Sequence, residues 1–198
     1  ILLIFSYVNN IPTLDISSTS ITGVNLFIKE IEDKILATLI IVLIFPILII
    51  IALSIKITSR GPIIYRQKRH GLNGKIFNVF KFRTMKVISE KSKFKQSNDE
   101  LSRITKLGKI LRKTSLDELP QFFNVLNGTM SVIGPRPHAI DHSKEFNKTI
   151  TNYMWRHKIK PGITGWAQIN GYRGPTINKM HMEKRVEYDL YYIENWSI

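Results

Sequence analysis

ILATLIIVLIFPILIIIALSI, residues 35–55, is an uncharged run of 21 residues in a chain of 198. As a straight α-helix rising about 1.5 Å per residue, it would be roughly 31 Å long, enough to cross a hydrocarbon core of about 30 Å. A buried core helix without a polar face would be unusual in so small a protein. The run therefore predicts a helix inserted in a membrane.

Pro46 lies almost at the centre of this run. Proline cannot donate a backbone hydrogen bond, and it disfavours helical geometry at the preceding residue, Phe45. The helix can kink and still span the membrane, or it can break into two arms of about ten residues, each roughly 16 Å long, whose outer ends return to one side. Because Phe45 offers no partner for backbone groups exposed by a break, the residues themselves favour the kinked span.

The segment after the apolar run is strongly basic. From Lys56 to Leu116 there are 17 Lys and Arg against three acids, a net charge of +14 that equals the formal charge of the whole chain. The positive-inside rule places this flank on the cytoplasmic side. A pI near 10.0 favours an anionic partner: nucleic acid, anionic lipid or a phosphorylated substrate. Aromatic residues do not interleave with the basic stretch as base-stacking platforms do, so we expect no nucleic-acid partner.

Other common kinds of site find little support. The chain has no cysteine, which excludes a disulfide scaffold, a thiolate metal site and a cysteine nucleophile. His138 and His142 are four residues apart, but Pro137 and the lack of further ligands nearby argue against zinc. There is no Walker loop and no dinucleotide fingerprint.

Asp117 and Glu118 stand at the end of the basic stretch. Carboxylates in a cationic field suit phosphate chemistry, because the cations hold a polyanion while a carboxylate attacks phosphorus or carries a metal. The alternative is an acidic pair that only favours a helix dipole, since a helix is predicted to begin near Ser115 or Pro120.

Two basic features accompany these carboxylates. Arg136 lies between two prolines, which restrict its backbone and aim its guanidinium at low entropic cost; the alternative is a tight turn with a solvent-facing arginine. Residues 63–65 and 76–82 read as strands of a hairpin around Asn73-Gly74. Lys81 and Arg83 share one face of the second strand, which is also typical of an edge strand with solvated lysines.

Several blocks of sequence occur together and in order. They are GLNGKIFNVFKFRTM (71–85), LRKTSLDELPQFFNVLNGTMSVIGPRP (111–137), KPGITGWAQING (160–171) and EKRVEYDLYYIENWS (183–197). With the apolar run they resemble the bacterial polyprenyl-phosphate hexose-1-phosphate transferases of the monotopic phosphoglycosyl transferase superfamily, over roughly residues 29–198. The later blocks are more similar to the larger, exopolysaccharide-initiating members.

The resemblance implies an α+β, mainly α-helical, monotopic membrane protein. Residues 1–28 would be a stub or connector from an upstream region. Residues 29–59 would form a membrane-inserted helix-break-helix, broken at Pro46 and re-entrant, which replaces the kinked span. Residues 60–198 would be a C-terminally truncated cytoplasmic catalytic domain containing the small β-hairpin. The location would be the cytoplasmic face of the bacterial inner membrane, with anionic lipid as a partner.

The resemblance also implies a reaction. Sugar-1-phosphate passes from a UDP-sugar to undecaprenyl phosphate through a phosphosugar–aspartate intermediate, releasing UMP and starting glycan assembly. Asp117 would be the nucleophile and Glu118 its catalytic partner, which binds Mg²⁺. Lys81, Arg112 and Arg136 would handle phosphate, and Arg83, on the strand face of Lys81, completes the predicted phosphate-binding set. Glucose is the expected sugar, and a homodimer is left open.

Two alternatives stay beside this hypothesis. In one, both carboxylates bind Mg²⁺ and the lipid phosphate attacks the donor directly in a ternary complex. In the other, the chain is a non-enzymatic basic anchor for anionic lipid, where each Lys or Arg near the surface contributes about 1 kcal/mol.

Overall fold

The computed structural model describes residues 4–8, 11–15, 19–87, 103–174 and 179–197. The helices there are α1 (Gly23–Thr58), α2 (Lys106–Thr114), α3 (Gln121–Leu126), α4 (Ile140–Thr149), α5 (Trp166–Ile169) and α6 (Lys179–Asn195). The strands are β1 (Ile4–Val8), β2 (Ile11–Asp15), β3 (Ile64–His70), β4 (Ile76–Phe82), β5 (Ser131–Ile133) and β6 (Gly162–Thr164). The predicted fold class, mainly helical with a small sheet and one long apolar helix, is confirmed.

Helix α1 runs without interruption through Pro46. Its 36 residues correspond to about 54 Å at a rise of roughly 1.5 Å per residue. Proline removes only its own donor, so the carbonyl of Val42 loses its partner while the neighbouring residues keep theirs. The predicted break of the helix at Pro46 is therefore wrong for the secondary structure, and the re-entrant path stays a prediction.

Most of the apolar surface of α1 is not covered by the rest of the described chain. This helix is long and apolar enough to cross a membrane, and only 17% of its most apolar window is buried. Large side chains stay exposed from Val24 at 73% to Ile57 at 84%, through Leu43 at 79% near the middle. A helix at the centre of a soluble core would bury this surface, so α1 has the surface of a membrane-inserted element.

The buried stripe of α1 packs on the globular part of the chain on both sides of Pro46. Before the proline, Ala37 is fully buried in a cluster that includes Val79 and Val125. After it, Ile51 and Ile55 belong to a second cluster. The remaining buried members of that cluster are Leu48, Phe82 and Leu111. Both halves of the helix therefore pack against the globular part of the chain.

The predicted hairpin is confirmed. Strands β3 and β4 pair antiparallel from Ile64–Phe82 to His70–Ile76, so the first strand is longer than expected. Asn73 and Gly74 both have positive φ, 51° and 72°, as a tight turn requires. Pairs β1–β2 (antiparallel) and β5–β6 (parallel) form the other small sheets of the described residues.

Candidate active site

A left-handed residue positions the two carboxylates. Helix α2 ends at Thr114, and the next residue, Ser115, has φ 59° and ψ 16°; the chain then makes a 3₁₀ turn over Leu116–Glu118 before α3 begins after Pro120. Leu116 and Leu119 pack against the cluster around Leu111. Because those leucines point inward, Asp117 and Glu118 can line a cavity on the other side of the turn.

The cavity beside this turn has a volume of about 900 Å³. The described part of its lining has seven cationic side chains: Lys81, Arg83, Lys86, Arg103, Arg112, Arg136 and Arg173. Asp117 and Glu118 are its acidic lining residues, and apolar side chains such as Ile64 and Met85 complete the wall. All six predicted site residues therefore line one cavity, and its volume and charge suit a phosphorylated ligand.

Glu118 is the acceptor of a dense ion-pair network. Arg136 binds it bidentately, with Nη2 to Oε1 at 2.6 Å and Nη1 to Oε2 at 3.1 Å, and Lys81 Nζ donates to Oε1 at 2.7 Å. Burial acts to raise the pKa of Glu118, but the hydrogen bonds and charges of Arg136 and Lys81 outweigh burial and lower the pKa to about 2. Glu118 is thus a firmly ionised carboxylate that holds two cations.

Asp117 is in a different state. Among the described residues, no other side chain donates a hydrogen bond to its carboxylate. Burial raises the pKa of Asp117, aided by the charge of Glu118 and opposed by the charges of Lys81 and Arg112. A carboxylate that is desolvated, more basic than usual and without an ion-pair partner has the properties of a nucleophile.

The cations come from separate elements. Lys81 is on β4, opposite Tyr65 in the hairpin, so the face that resembled a solvated edge carries a site residue. Arg112 is in the last turn of α2, and its Nε donates to Thr84 Oγ1 at 2.9 Å, which orients its guanidinium. Arg136 follows β5 and turns back toward Glu118. The alternative of a solvent-facing Arg136 is therefore wrong.

Comparison with known proteins gives the family. Residues 24–198 match the bacterial sugar transferases. The chain belongs to this family. It is 53% identical over 190 residues to UDP-glucose:undecaprenyl-phosphate glucose-1-phosphate transferase of Escherichia coli (strain K12), covering 96% of this chain and 41% of that relative.

Two further relatives are named for different sugar donors. The protein of Xanthomonas campestris pv. campestris has the same name as the E. coli protein and is 45% identical over 194 residues, covering 96% of this chain and 40% of its own. A UDP-N-acetylgalactosamine-undecaprenyl-phosphate N-acetylgalactosaminephosphotransferase of Aeromonas hydrophila is 41% identical over 173 residues, covering 87% and 40%. The chain spans about two fifths of the length of these relatives.

Arg83 lines the cavity, but its guanidinium is held at the end of α1. Its Nη2 donates to the carbonyl oxygen and to Oγ of Ser59, both at 2.7 Å. Within the described residues, Nε and Nη1 have no hydrogen-bond partner. Gly61 allows this approach, because it has φ 122° and any Cβ there would lie 2.1 Å from Arg83 Nη1. Arg83 therefore joins the end of the apolar helix to the cavity.

Three residues in or behind the wall of this cavity were not predicted. Arg156 Nη2 donates to the carbonyl of Arg136 at 2.7 Å, and Asp189 of α6 accepts from Arg156 Nε at 3.0 Å and Nη2 at 2.7 Å. Both partners of this ion pair are almost completely buried. Arg173 lines the cavity and donates to Ser115 Oγ at 2.6 Å. A pairing between residues 33 positions apart has no local sequence signal.

The donor set at Glu118 fits Mg²⁺ in this family member. No group of three or more His, Cys, Asp or Glu in the described ranges could hold a metal by itself. Mg²⁺ needs no such group, since it often binds one or two carboxylates with substrate phosphates and water. A carboxylate has about four lone-pair positions, and Glu118 uses three of them for Lys81 and Arg136. One position, on Oε2, is left for the ion.

Proposed function

We propose that this chain carries the catalytic part of an enzyme that transfers hexose-1-phosphate from a UDP-sugar to undecaprenyl phosphate at a membrane surface. The observation that carries the proposal is the contrast between two adjacent carboxylates in a cationic cavity. Glu118 is ion-paired with Arg136, whereas no described side chain binds Asp117, and Arg83 connects the cavity to the end of α1. The relatives named above are called sugar phosphotransferases that act on undecaprenyl phosphate, and most are named for UDP-glucose. We therefore propose glucose as the sugar.

In the first step, a carboxylate oxygen of Asp117 attacks the phosphorus that bears the sugar. The new Asp117 O–P bond forms as the bond from that phosphorus to the bridging oxygen of the diphosphate breaks. UMP leaves with the bonding electron pair as a dianion. The protein then holds glucose-1-phosphate as an acyl phosphate on Asp117. The raised pKa of Asp117 favours this step, because a more basic oxygen attacks more readily once it is ionised.

In the second step, a phosphate oxygen of undecaprenyl phosphate attacks the same phosphorus. The Asp117 O–P bond breaks, the carboxylate is restored and the product is undecaprenyl diphosphate glucose. Two displacements mean that the soluble donor and the lipid acceptor need not be aligned in the site together. This is an advantage for a cavity bordered by a lipid-facing helix.

The cations bring the negative nucleophile and the negative substrate together. Arg112 and Lys81 lie close enough to Asp117 to lower its pKa by their charge, so they would also act on the phosphorus that it attacks. Mg²⁺ bound at Glu118 and substrate phosphate would neutralise further charge on the diphosphate. Arg136 and Lys81, aligned by Glu118, would stabilise the charge that develops on the leaving phosphate.

We also propose that α1 enters and leaves the membrane on the cytoplasmic face. Before Pro46, Asp33 Oδ1 accepts from the buried Lys29 Nζ at 2.7 Å and from the Val132 amide at 2.9 Å, and Glu30 pairs with Lys160. After Pro46, Ile55 packs in the apolar cluster that contains Phe82 and Leu111. A perpendicular span would carry one of these ends away from the globular part, so contacts at both ends support a shallow, re-entrant path.

Label exchange tests the reaction. Incubation with UDP-glucose and Mg²⁺, without lipid, should add one hexose phosphate to the protein mass, and labelled UMP should enter the UDP-glucose pool. Asp117→Asn should lose both signals. Direct attack in a ternary complex predicts no exchange until lipid is added, and a basic anchor predicts none at all, with lipid binding unchanged in Asp117→Asn. Either result in the wild type would overturn the two-step proposal.

Cysteine labelling tests the membrane path. The chain has no cysteine, so Thr22→Cys and Arg60→Cys place single thiols at exposed positions that flank α1. A membrane-impermeant maleimide should label both positions in inside-out vesicles and neither in intact spheroplasts. Labelling of Thr22→Cys only from the outside would establish a span and contradict the re-entrant path.

A further inference from the structure

A second cavity of about 360 Å³ adjoins the one that contains Asp117. The two cavities share Lys81, Arg136 and Arg173 in their walls, whereas Asp117 and Glu118 line only the larger one. Small-molecule sites have volumes of about 300–1,000 Å³, so the second cavity is large enough for part of a substrate. Because the two cavities share these three cations, one elongated anionic ligand can extend from the larger cavity into the smaller one.

Among the described residues, the lining of the second cavity contains cations and no carboxylate. Its cationic lining residues are Arg69, Lys81, Arg136, Arg173 and Arg185. His138 also lines it, and Arg156 Nη1 donates to His138 Nδ1 at 2.7 Å. Burial and the neighbouring arginines hold the pKa of His138 well below its usual value, so the ring is neutral. A wall of cations with a neutral histidine suits a phosphate dianion.

Gln121 supplies an uncharged polar side chain to the wall of this cavity. It is the first residue of α3, it is 2% exposed and it lines the cavity wall. Among the described residues, no group is hydrogen-bonded to its side-chain amide. Its amide nitrogen and oxygen are not among the fully buried polar atoms that lack a partner, so they stay accessible to a ligand in the cavity. Because an amide offers one acceptor and two donors, it can pair with the carbonyl and N–H edge of a pyrimidine ring.

We propose that the second cavity holds the nucleoside monophosphate half of the donor, with its phosphate on the arginines and its pyrimidine base on the amide of Gln121. This inference rests on the proposed function and adds the place where UMP is held and released. It makes Gln121 a determinant of nucleotide specificity, acting on binding and not on the attacked phosphorus.

Binding of UMP itself tests the proposal without turnover. UMP, CMP and inorganic phosphate are titrated against the full chain in detergent, and their dissociation constants are compared. Wild type should prefer UMP to CMP. Gln121→Met keeps the length of the side chain and removes the amide, so it should weaken UMP about tenfold, bring UMP and CMP to similar affinity and leave phosphate unchanged.

A pair of arginine variants provides the matched control. Arg69→Gln, in the cavity wall, should weaken UMP about tenfold while its UMP-to-CMP ratio stays as in wild type. Arg66→Gln makes the same charge change on the same strand, at a residue that lines neither cavity, and should leave UMP binding unchanged.

The outcomes separate this proposal from the proposed function. If wild type forms the Asp117 adduct but UMP affinity is the same in Gln121→Met and Arg69→Gln as in wild type, the second cavity is not the nucleotide subsite. If UMP binding responds as expected but no adduct or exchange occurs, the subsite stands and the two-step reaction fails. An equal loss of UMP affinity in Arg66→Gln would show a general charge effect and overturn the assignment.

Discussion

Arg136 binds both carboxylate oxygens of Glu118, at 2.6 Å and 3.1 Å, whereas no described residue forms an ion pair with the neighbouring Asp117. Adjacent carboxylates therefore have opposite pKa shifts, lowered in Glu118 and raised in Asp117. Environments that push two pKa values apart are typical of acids with different roles. The ion pair of Glu118 stabilises the fold and aligns the cations, whereas Asp117 stays available for attack.

The first prediction concerns Glu118→Gln and stability. Because the folded pKa, about 2, lies below the ordinary value of 4.5, ionised Glu118 contributes on the order of 3 kcal/mol at neutral pH. That contribution is complete above pH 4.5 and is lost as the pH falls toward 2. Glu118→Gln should therefore unfold more easily at pH 7, and its difference from wild type should shrink below pH 4.5. Denaturant unfolding at several pH values measures this, with exposed Glu145→Gln as the control, expected to change stability by less than about 0.5 kcal/mol.

The second prediction concerns the acid limb of the reaction. Asp117 must be ionised to attack, and its pKa is raised by burial and by the charge of Glu118. Adduct formation should therefore fall as the pH drops through a value above 3.8, while Glu118 is still ionised. Glu118→Gln removes the negative neighbour and frees two cations, so its residual activity should have an acid limb at lower pH. A limb that stays in place or moves upward would show that Asp117 is not the titrating group.

Much of the fold could be predicted from local pattern. The Asn73-Gly74 turn and the long apolar helix over residues 35–55 depend on neighbours in sequence, and both are present. Pro46 was misjudged because one missing donor is a small loss within a 36-residue helix. Helix α2 begins at Lys106, where Thr105 Oγ1 accepts from the Gly108 amide at 2.8 Å.

The candidate site likewise contains residues that the sequence indicated and residues that it did not. Motifs identified Asp117, Glu118, Lys81, Arg112 and Arg136, because each lies in a block of recognisable sequence. Arg156 lies in none of these blocks, and Asp189 lies in the block 183–197 without any local pattern that pairs it with Arg156, since a buried ion pair between a 3₁₀ segment and α6 depends on how distant segments pack. Arg83 was predicted to bind phosphate because it is basic and shares a strand face with Lys81, but its hydrogen-bond partner is Ser59.

The third prediction concerns the buried ion pair that holds the backbone of Arg136. Asp189→Asn leaves the Arg156 guanidinium buried without its counter-charge, which should cost about 3–5 kcal/mol. Glu187→Gln on the same helix removes only an exposed pair with Lys184 and should leave stability almost unchanged. Arg156→Lys keeps the charge but cannot reach both Asp189 and the Arg136 carbonyl, so adduct formation should slow more than UMP binding weakens. If adduct rate and UMP affinity fall equally, the pair has no specific role in positioning Arg136.

The fourth prediction concerns Asp33, which fastens the first half of α1 to β5. Asp33→Ala removes the acceptor of both Lys29 and the Val132 amide, leaving a buried lysine unpaired, and should cost about 3–5 kcal/mol. Glu32→Ala, whose carboxylate lies 3.6 Å from the same lysine but is 44% exposed, should cost less than about 1 kcal/mol.

Unfolding in lipid nanodiscs measures both variants, and the double variant Lys29→Met/Asp33→Leu separates charge from packing. Since apolar side chains of similar size can replace a buried ion pair, the double variant should recover most of the loss while the Val132 amide stays unpaired. Should Asp33→Ala behave like Glu32→Ala in a bilayer, the first half of α1 is not docked on β5 there. The contact on which the re-entrant path depends would then be absent from the membrane-bound protein.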